Sequence, residues 1–431
     1  MTDSGALVVR GRLVRQSSVV DDGVVVVAGG RVTFAGSLPD AVVAGHGALA
    51  ESVPPAPETY VLPGLVDLHN HGGGGVSFPD VTSSADALAG VLEHRRHGTT
   101  ALLASLVTAR PEVLLARASV LAELAVAGEI EGLHAEGPFL SHRRRGAHNP
   151  ADLQEGSADL VRDLVRAARG SLRTMTVAPE VPGVAGPGGA AEALVEAGVL
   201  PSLGHTDGST EQAEALIAQV GRAVAAQGGV LGPMTATHLF NGMRPLHHRM
   251  PGPIAACLAA AARGDMVVEL IGDGVHLDPA TVRSVFAMVG ADQVALVTDA
   301  MAAAGMADGR YELGPMSVVV RDGVARIAPP GVPDPQVTGV TPASGTAEAG
   351  EGSIAGGTAH LIDVVRGAVV AGVPLTDAVR SATAVPARVL GLAGEIGCLE
   401  PGARADVLVT DADLRPVRVL RHGGDVEVAG A

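Results

Sequence analysis

Lysine is missing from this chain of 431 residues: all 30 basic residues are arginine, set against 46 acidic ones. That absence excludes Schiff-base lysine chemistry, a phosphate-loop lysine and a carboxylated lysine bridging two metal ions. Tryptophan is missing too, and aromatic residues make up only 2%. A core drawn from a 47% hydrophobic composition must therefore be packed from Val, Leu, Ile and Ala. The two cysteines, Cys257 and Cys398, offer neither a disulfide framework nor a CxxC zinc site, and both are expected to be buried and reduced. A formal net charge of −16 argues against nonspecific nucleic-acid binding. No apolar run reaches about 18 residues without a charge or a Gly/Pro break, so no membrane span is expected. The opening MTDSGALVVRGRLVRQ has no apolar segment behind a basic start, which predicts no signal peptide and a cytoplasmic setting.

Regular patterning then divides the chain. Residues 6–36 read as short strands with turns, Ser37–Thr59 as a loose Ala/Gly/Pro-rich stretch, and the tail from 397 returns to short strands. A small β-sandwich domain is therefore predicted from 1–59 and 397–431, with a larger domain, 60–396, inserted between the two ends. That middle alternates apolar strands with amphipathic helices. The strand candidates are Tyr60–Leu68, Thr99–Val107, Ile130–His134, Leu172–Ala178, Val199–Leu203, Met234–Thr237, Met266–Ile271 and Val294–Thr298. Helical patterns include Asp86–His97, Thr210–Val220, Thr281–Val289, Thr358–Ala371 and Leu375–Leu390. Such alternation indicates a buried parallel sheet, and eight units indicate a closed α/β barrel, (β/α)8 or TIM type. Residues 328–352, rich in Pro, Gly and Ala, read as a loop insertion.

Several of these strands end in residues able to bind a metal or move a proton. VDLHNH supplies Asp67, His69 and His71; GLHAEGPF supplies His134 and Glu136; SLGH supplies His205; TATH supplies His238; IGDGVH supplies Asp273 and His276; LVTD supplies Asp299. A barrel gathers the C-terminal ends of its strands on one face, so groups distant in sequence converge there. His69 and His71, two apart, share one strand face and can reach one ion. Imidazoles and carboxylates without thiolate suit a catalytic Zn²⁺ or Fe²⁺. His134 is expected to lie in the core or behind the ligands. His94, His97, His247, His248 and His422 are expected to face solvent; the Arg143–Arg145 run is expected on a solvated loop, with a place at the pocket mouth as the alternative.

HNHGG, HAEGPF, GAHNP, GHTDG, THLFNGM, RMPGP, GDGVH, VTDA and IAG occur in an order that resembles the N-acetylglucosamine-6-phosphate deacetylase family of the amidohydrolase superfamily, over about residues 60–410. THLFNGM with the downstream Arg249, together with HAEGPF, carries most of the specificity. The resemblance implies that Glu136, His205 and His238 hold the principal metal and that His69 and His71 match members binding a second ion. It implies an acetamide pocket at Ala147 and His148, and a sugar phosphate held by Asn241, Gly242, Arg249 and His276, with Arg249 acting across a homodimer interface. Ile354, Ala355 and Gly356 then close the sugar side. Asp299 is the implied general base and then acid, and His148 the stabiliser of the developing oxyanion. The implied partner is a phosphorylated amino sugar, the implied products acetate and glucosamine 6-phosphate. The sequence departs from the family at Gly357, where serine is usual, in RMPG for the commoner REPG, and in GHTDG. The rival readings are a cyclic-amide or deaminating amidohydrolase, disfavoured by the missing bridging lysine, and a non-catalytic scaffold, disfavoured by the complete ligand set.

Overall fold

The protein is described here by a computed structural model covering residues 5–228, 231–328 and 352–429. Eight parallel strands hydrogen-bond in chain order: Leu65–Asn70, Thr99–Val107, Gly132–Glu136, Leu172–Val177, Leu200–Leu203, Met234–Ala236, Met266–Leu270 and Val294–Leu296. The last strand meets the first just beyond its own end. Asp299 N donates to His69 O (2.9 Å) and His71 N to Ala300 O (2.7 Å), which shuts the barrel. The seam therefore lies at the predicted site.

Inside the barrel, residues two apart along each strand stack in layers, because alternate side chains share a face. The lowest layer is apolar: Leu68, Leu103, Leu200, Val267 and Ala295 pack on Val385 and Val389 from the helix Ala384–Val389. One step up, the same strands turn polar. Asn70 N donates to Ser105 Oγ (2.9 Å), and Ser105 Oγ lies 3.0 Å from His134 Nδ1. The chain of contacts runs on through His134 Nε2 to Thr176 Oγ1 (2.8 Å), Thr237 Oγ1 (2.8 Å), Ser202 Oγ (2.6 Å) and Thr235 Oγ1 (2.6 Å). Each hydroxyl along this chain of contacts thus has a partner, as burial requires.

The chain ends build one seven-stranded sheet: Leu7–Val14, Val19–Ala28, Arg31–Ser37, Tyr60–Pro63, Val407–Thr410, Pro416–Arg421 and Gly424–Val426. It folds over on itself, so that Val9, Val25 and Val27 meet Val61, Val407 and Leu420. Val32 N donates to Ala403 O (2.9 Å) and ties one edge back.

Several elements differ from the sequence expectation. The predicted strand Tyr60–Leu68 breaks at Gly64, its first half pairing in the terminal sheet and its second starting the barrel. Ser37–Thr59 contains two short helices, Leu38–Val43 and Gly47–Glu51. The predicted helix Leu375–Leu390 is two, Leu375–Ser381 and Ala384–Val389. A three-stranded antiparallel sheet, Gly309–Leu313, Met316–Arg321 and Val324–Ile327, follows the barrel and had no counterpart in the patterning. Of the predicted insertion at 328–352, residues 329–351 lie outside the described residues.

His94 also departs from expectation. It is fully buried, and its Nε2 donates to Gly72 O (2.8 Å), because the helix Ser84–Arg96 packs its end onto the turn after His71. Burial, with His360 close by, pushes the His94 pKa down to about 3, far below the 6.5 of a free histidine. A pKa depressed by folding means that the unfolded chain takes up the proton first. This contribution is whole above about pH 6.5 and is lost as pH falls toward 3. Thermal scans should show a smaller drop in Tm between pH 6.5 and 4 for His94→Gln than for the wild type; parallel curves would contradict it.

Candidate active site

The ligand candidates converge above the polar layer. Glu136 ends its strand with its carboxyl buried between two imidazole pairs. Oε1 lies 2.9 Å from both His205 Nε2 and His238 Nε2, and those nitrogens are 3.1 Å apart. Oε2 lies 3.2 Å from His71 Nε2, 3.7 Å from His69 Nε2 and 3.3 Å from His148 Nε2. His69 Nε2 and His71 Nε2 are 2.9 Å apart. Asp299 Oδ1 closes the second group, 3.2 Å from His71 Nε2 and 3.3 Å from His69 Nε2.

His205, His238 and Asp299 all sit just past strand ends with left-handed backbone, φ 46°, 27° and 47°. Side chains other than glycine adopt this conformation rarely, and surrounding structure must impose it. For His205 that structure is visible. Its Nδ1 donates to Arg144 O (2.7 Å), and Gly242 packs so closely that a Cβ there would lie 2.6 Å from the ring. Gly242 also needs φ +57°, so glycine answers two demands at once.

Electrostatics follow from this crowding. Burial opposes ionisation of Glu136, yet His148, His69 and His205 hold its carboxyl well below the usual range. Burial likewise opposes ionisation of Asp299, and His69 and His71 hold it low. Conversely, burial disfavours a charged His69, but Asp299 and Glu136 raise its pKa well above 6.5. His134 goes the other way: burial, reinforced by His69, keeps it neutral. Two buried carboxylates thus demand positive charge. The paired Nε2 atoms face that demand, and the Nδ1 of His238 is buried without a hydrogen-bond partner. This donor set, imidazole and carboxylate without thiolate, fits one or two divalent cations sharing Glu136.

A cavity of about 360 Å³ opens over the cluster. Among the predicted substrate residues, Ala147, His148, Asn241, Gly242, His276, Ile354 and Gly356 line it. Ala355 does not; it is buried behind the wall with Met301 and Val320. Arg249 is exposed on a loop and does not line the cavity of its own chain. His276 is oriented by Asp273, whose Oδ2 lies 2.8 Å from its Nδ1. Asp67 lies beneath, accepting from Thr298 Oγ1 (2.6 Å) and Asn70 Nδ2 (3.1 Å). The departure at Gly357 has a local cause: a Cβ there would fall 2.4 Å from Thr298 O, so a serine would not fit.

Other contributors were not assigned to the site from the sequence. Arg143 and Arg144, expected on a solvated loop, line the cavity, and Asp207 anchors Arg144 at 2.8 Å. Their place directly before GAHNP was the available signal. Arg326, from the unforeseen three-stranded sheet, also lines it and donates to Gly352 O (2.7 Å). Glu269, one carboxylate in the apolar strand Met266–Leu270, accepts from His238 N (3.3 Å) and stands 3.5 Å from His69 Nδ1.

Residues 60–427 match the model of the amidohydrolase family. The chain is 31% identical over 392 residues to N-acetylgalactosamine-6-phosphate deacetylase of Escherichia coli O157:H7, covering 90% of this chain and 93% of that one. It is 32% identical over 368 residues to human N-acetylglucosamine-6-phosphate deacetylase, covering 82% and 80% respectively. The structure of a mutant N-acetyl-D-glucosamine-6-phosphate deacetylase from Mycobacterium smegmatis, in complex with N-acetyl-D-glucosamine-6-phosphate, superposes with a TM-score of 0.80. It is 36% identical and covers 98% of this chain and 99% of that one.

Replacing Glu136 with Gln keeps its shape and removes the charge that draws a cation in. Elemental analysis after dialysis should find about one divalent ion per chain fewer than in wild type, because losing such a group weakens metal affinity by roughly 10- to 100-fold. Full retention would contradict the central place given to this carboxylate.

Proposed function

The chain belongs to the amidohydrolase family, in its N-acetylglucosamine-6-phosphate deacetylase branch, and from that premise we propose that it hydrolyses the acetamide of N-acetyl-D-glucosamine 6-phosphate to acetate and D-glucosamine 6-phosphate. The observation that carries the reading is the position of Asp299: a buried carboxylate at the cavity floor, 3.2 Å from His71 and beside Glu136. Glu136, His205 and His238 would hold a divalent cation, zinc in our reading with Fe²⁺ as the alternative, and when bound it would lower the pKa of water toward about 7 and polarise an amide carbonyl. His69 and His71 are suited to a second ion.

The remaining chemistry falls to the chain itself. Asp299, kept ionised by its neighbours, accepts the proton of the attacking water at its carboxylate. It then returns that proton to the nitrogen, because an amine leaves poorly without one. His148 points its Nε2 into the same space and stabilises the oxyanion that forms from the carbonyl. Ala147 and His148 flank the acetyl group, while Ile354 and Gly356 face the sugar.

A net charge of −16 repels a phosphorylated sugar at long range, but salt screens that field beyond about 8 Å. Local groups must therefore hold the phosphate: Asn241, Gly242, His276 and Arg249. Arg249 lies outside its own cavity, on a loop that also exposes Leu246 and Met250. We read this loop as a homodimer contact that delivers Arg249 to the neighbouring site. No helix among the described residues is long and apolar enough to cross a membrane. A phosphorylated sugar substrate suits the cytoplasm, where we place the enzyme.

Acetate release across a panel of N-acetylated hexosamine 6-phosphates should give the highest kcat/KM with the glucosamine epimer. Preference for the galactosamine epimer would move the assignment to the other named relative, and no release from either would refute it. Asp299→Asn should lose about 10²- to 10⁴-fold in kcat, the usual worth of a general acid–base, while keeping its metal. Arg249→Ala should raise KM far more for the phosphorylated than for the unphosphorylated sugar; equal effects would remove its phosphate role.

A further inference from the structure

A second group of potential ligands lies apart from the catalytic cavity. Glu93 and His97, four residues apart, sit at the end of the helix Ser84–Arg96, and His360 caps the start of Leu361–Val370. One ligand atom from each lies within 4.8 Å of the others. His360 Nε2 is 3.1 Å from Glu93 Oε1, and His97 Nδ1 is 3.5 Å from the same oxygen. The side chains are 15%, 21% and 9% exposed for Glu93, His97 and His360, so water and small ions reach them without the group being an open surface patch.

Each imidazole has one nitrogen directed at an oxygen. His97 Nδ1 donates to Glu93 O (2.9 Å), which leaves its Nε2 as the nitrogen with a free lone pair. His360 Nδ1 faces Asp363 Oδ2 at 3.5 Å, leaving Nε2 turned toward Glu93. A histidine whose other nitrogen is held by an oxygen is the arrangement that fixes the tautomer for metal binding. The two rings stack at 3.5 Å and 14°. Metal bonds of roughly 2.0–2.2 Å to N and O require the His97 ring to leave that stack and give up its bond to Glu93 O, which a side chain 21% exposed can do.

We propose that Glu93, His97 and His360 form a further site for a divalent cation of the zinc, cobalt or nickel class, with water completing its coordination. Two imidazoles and one carboxylate favour these ions over magnesium or calcium, which prefer oxygen. The site does not depend on the deacetylase reading, since none of its residues lines the catalytic cavity. It does touch the same loops. The Glu93 side chain packs against Gly74, just past His71, and against Gly305, past Asp299. An ion here fastens together the helix end, the cap of Leu361–Val370 and the two loops that close the barrel seam.

The test uses the enzyme with its catalytic metal in place, dialysed against micromolar zinc and then analysed for zinc per chain. Wild type should carry one ion more than each of His97→Gln, His360→Gln and Glu93→Gln, and zinc should raise the Tm of wild type alone. The variants act on two separate helices, and circular dichroism confirms that each is folded. Equal zinc content in wild type and all folded variants overturns the proposal.

Discussion

A negative charge held in a nearly dry place governs this structure. Glu136 ends a strand inside a closed barrel, 4% exposed, and Asp299 enters the same space from the last strand. Burying such charges costs several kcal/mol each unless they are compensated. The compensation comes from five imidazoles, and all but His148 reach it only because the strand ends share one rim. The fold and the charge therefore explain each other. A flat sheet would leave His69 and Asp299 on opposite edges, whereas the closed sheet places the last strand beside the first.

The layers beneath follow from the same constraint. An imidazole that must point in one direction needs something to hold it, and the ladder from Ser105 through His134, Thr176 and Thr237 to Thr235 forms a polar floor. Below it Leu68, Leu103 and Val267 restore an ordinary apolar core. Polarity changes over one step of each strand. A single-residue slip of register would turn both layers out of the barrel interior, so the polar groups and the core specify the register together.

Most of the polar rim was legible in the sequence because its residues interrupt apolar runs: a His or carboxylate at the end of VDLHNH, GLHAE or LVTD stands out from a core. Glu269 escaped because a lone carboxylate within MVVEL resembles a strand that simply reaches the surface. Arg326 escaped because the sheet carrying it follows the barrel and obeys no repeat. His94 was misjudged on local grounds: an HRRHG helix end looks solvated, and only the turn after His71 folding over His94 makes it interior. Gly64 was invisible for a similar reason, since one apolar run serves two sheets in succession and only pairing partners reveal the change.

The seam that joins the first barrel strand to the last has a consequence for synthesis. When Glu136, His205 and His238 have left the ribosome, Asp299 and Ala300, the backbone partners of His69 and His71, have not yet been made. The terminal sheet waits longer still, for Val407–Thr410 to pair with Tyr60–Pro63. A nascent chain thus carries most of its cation-seeking groups through a long interval before the walls around them close. Domains fold as units during translation, and here the unit is nearly the whole polypeptide. Assembly of the reactive centre is therefore among the last events in the life of the growing chain.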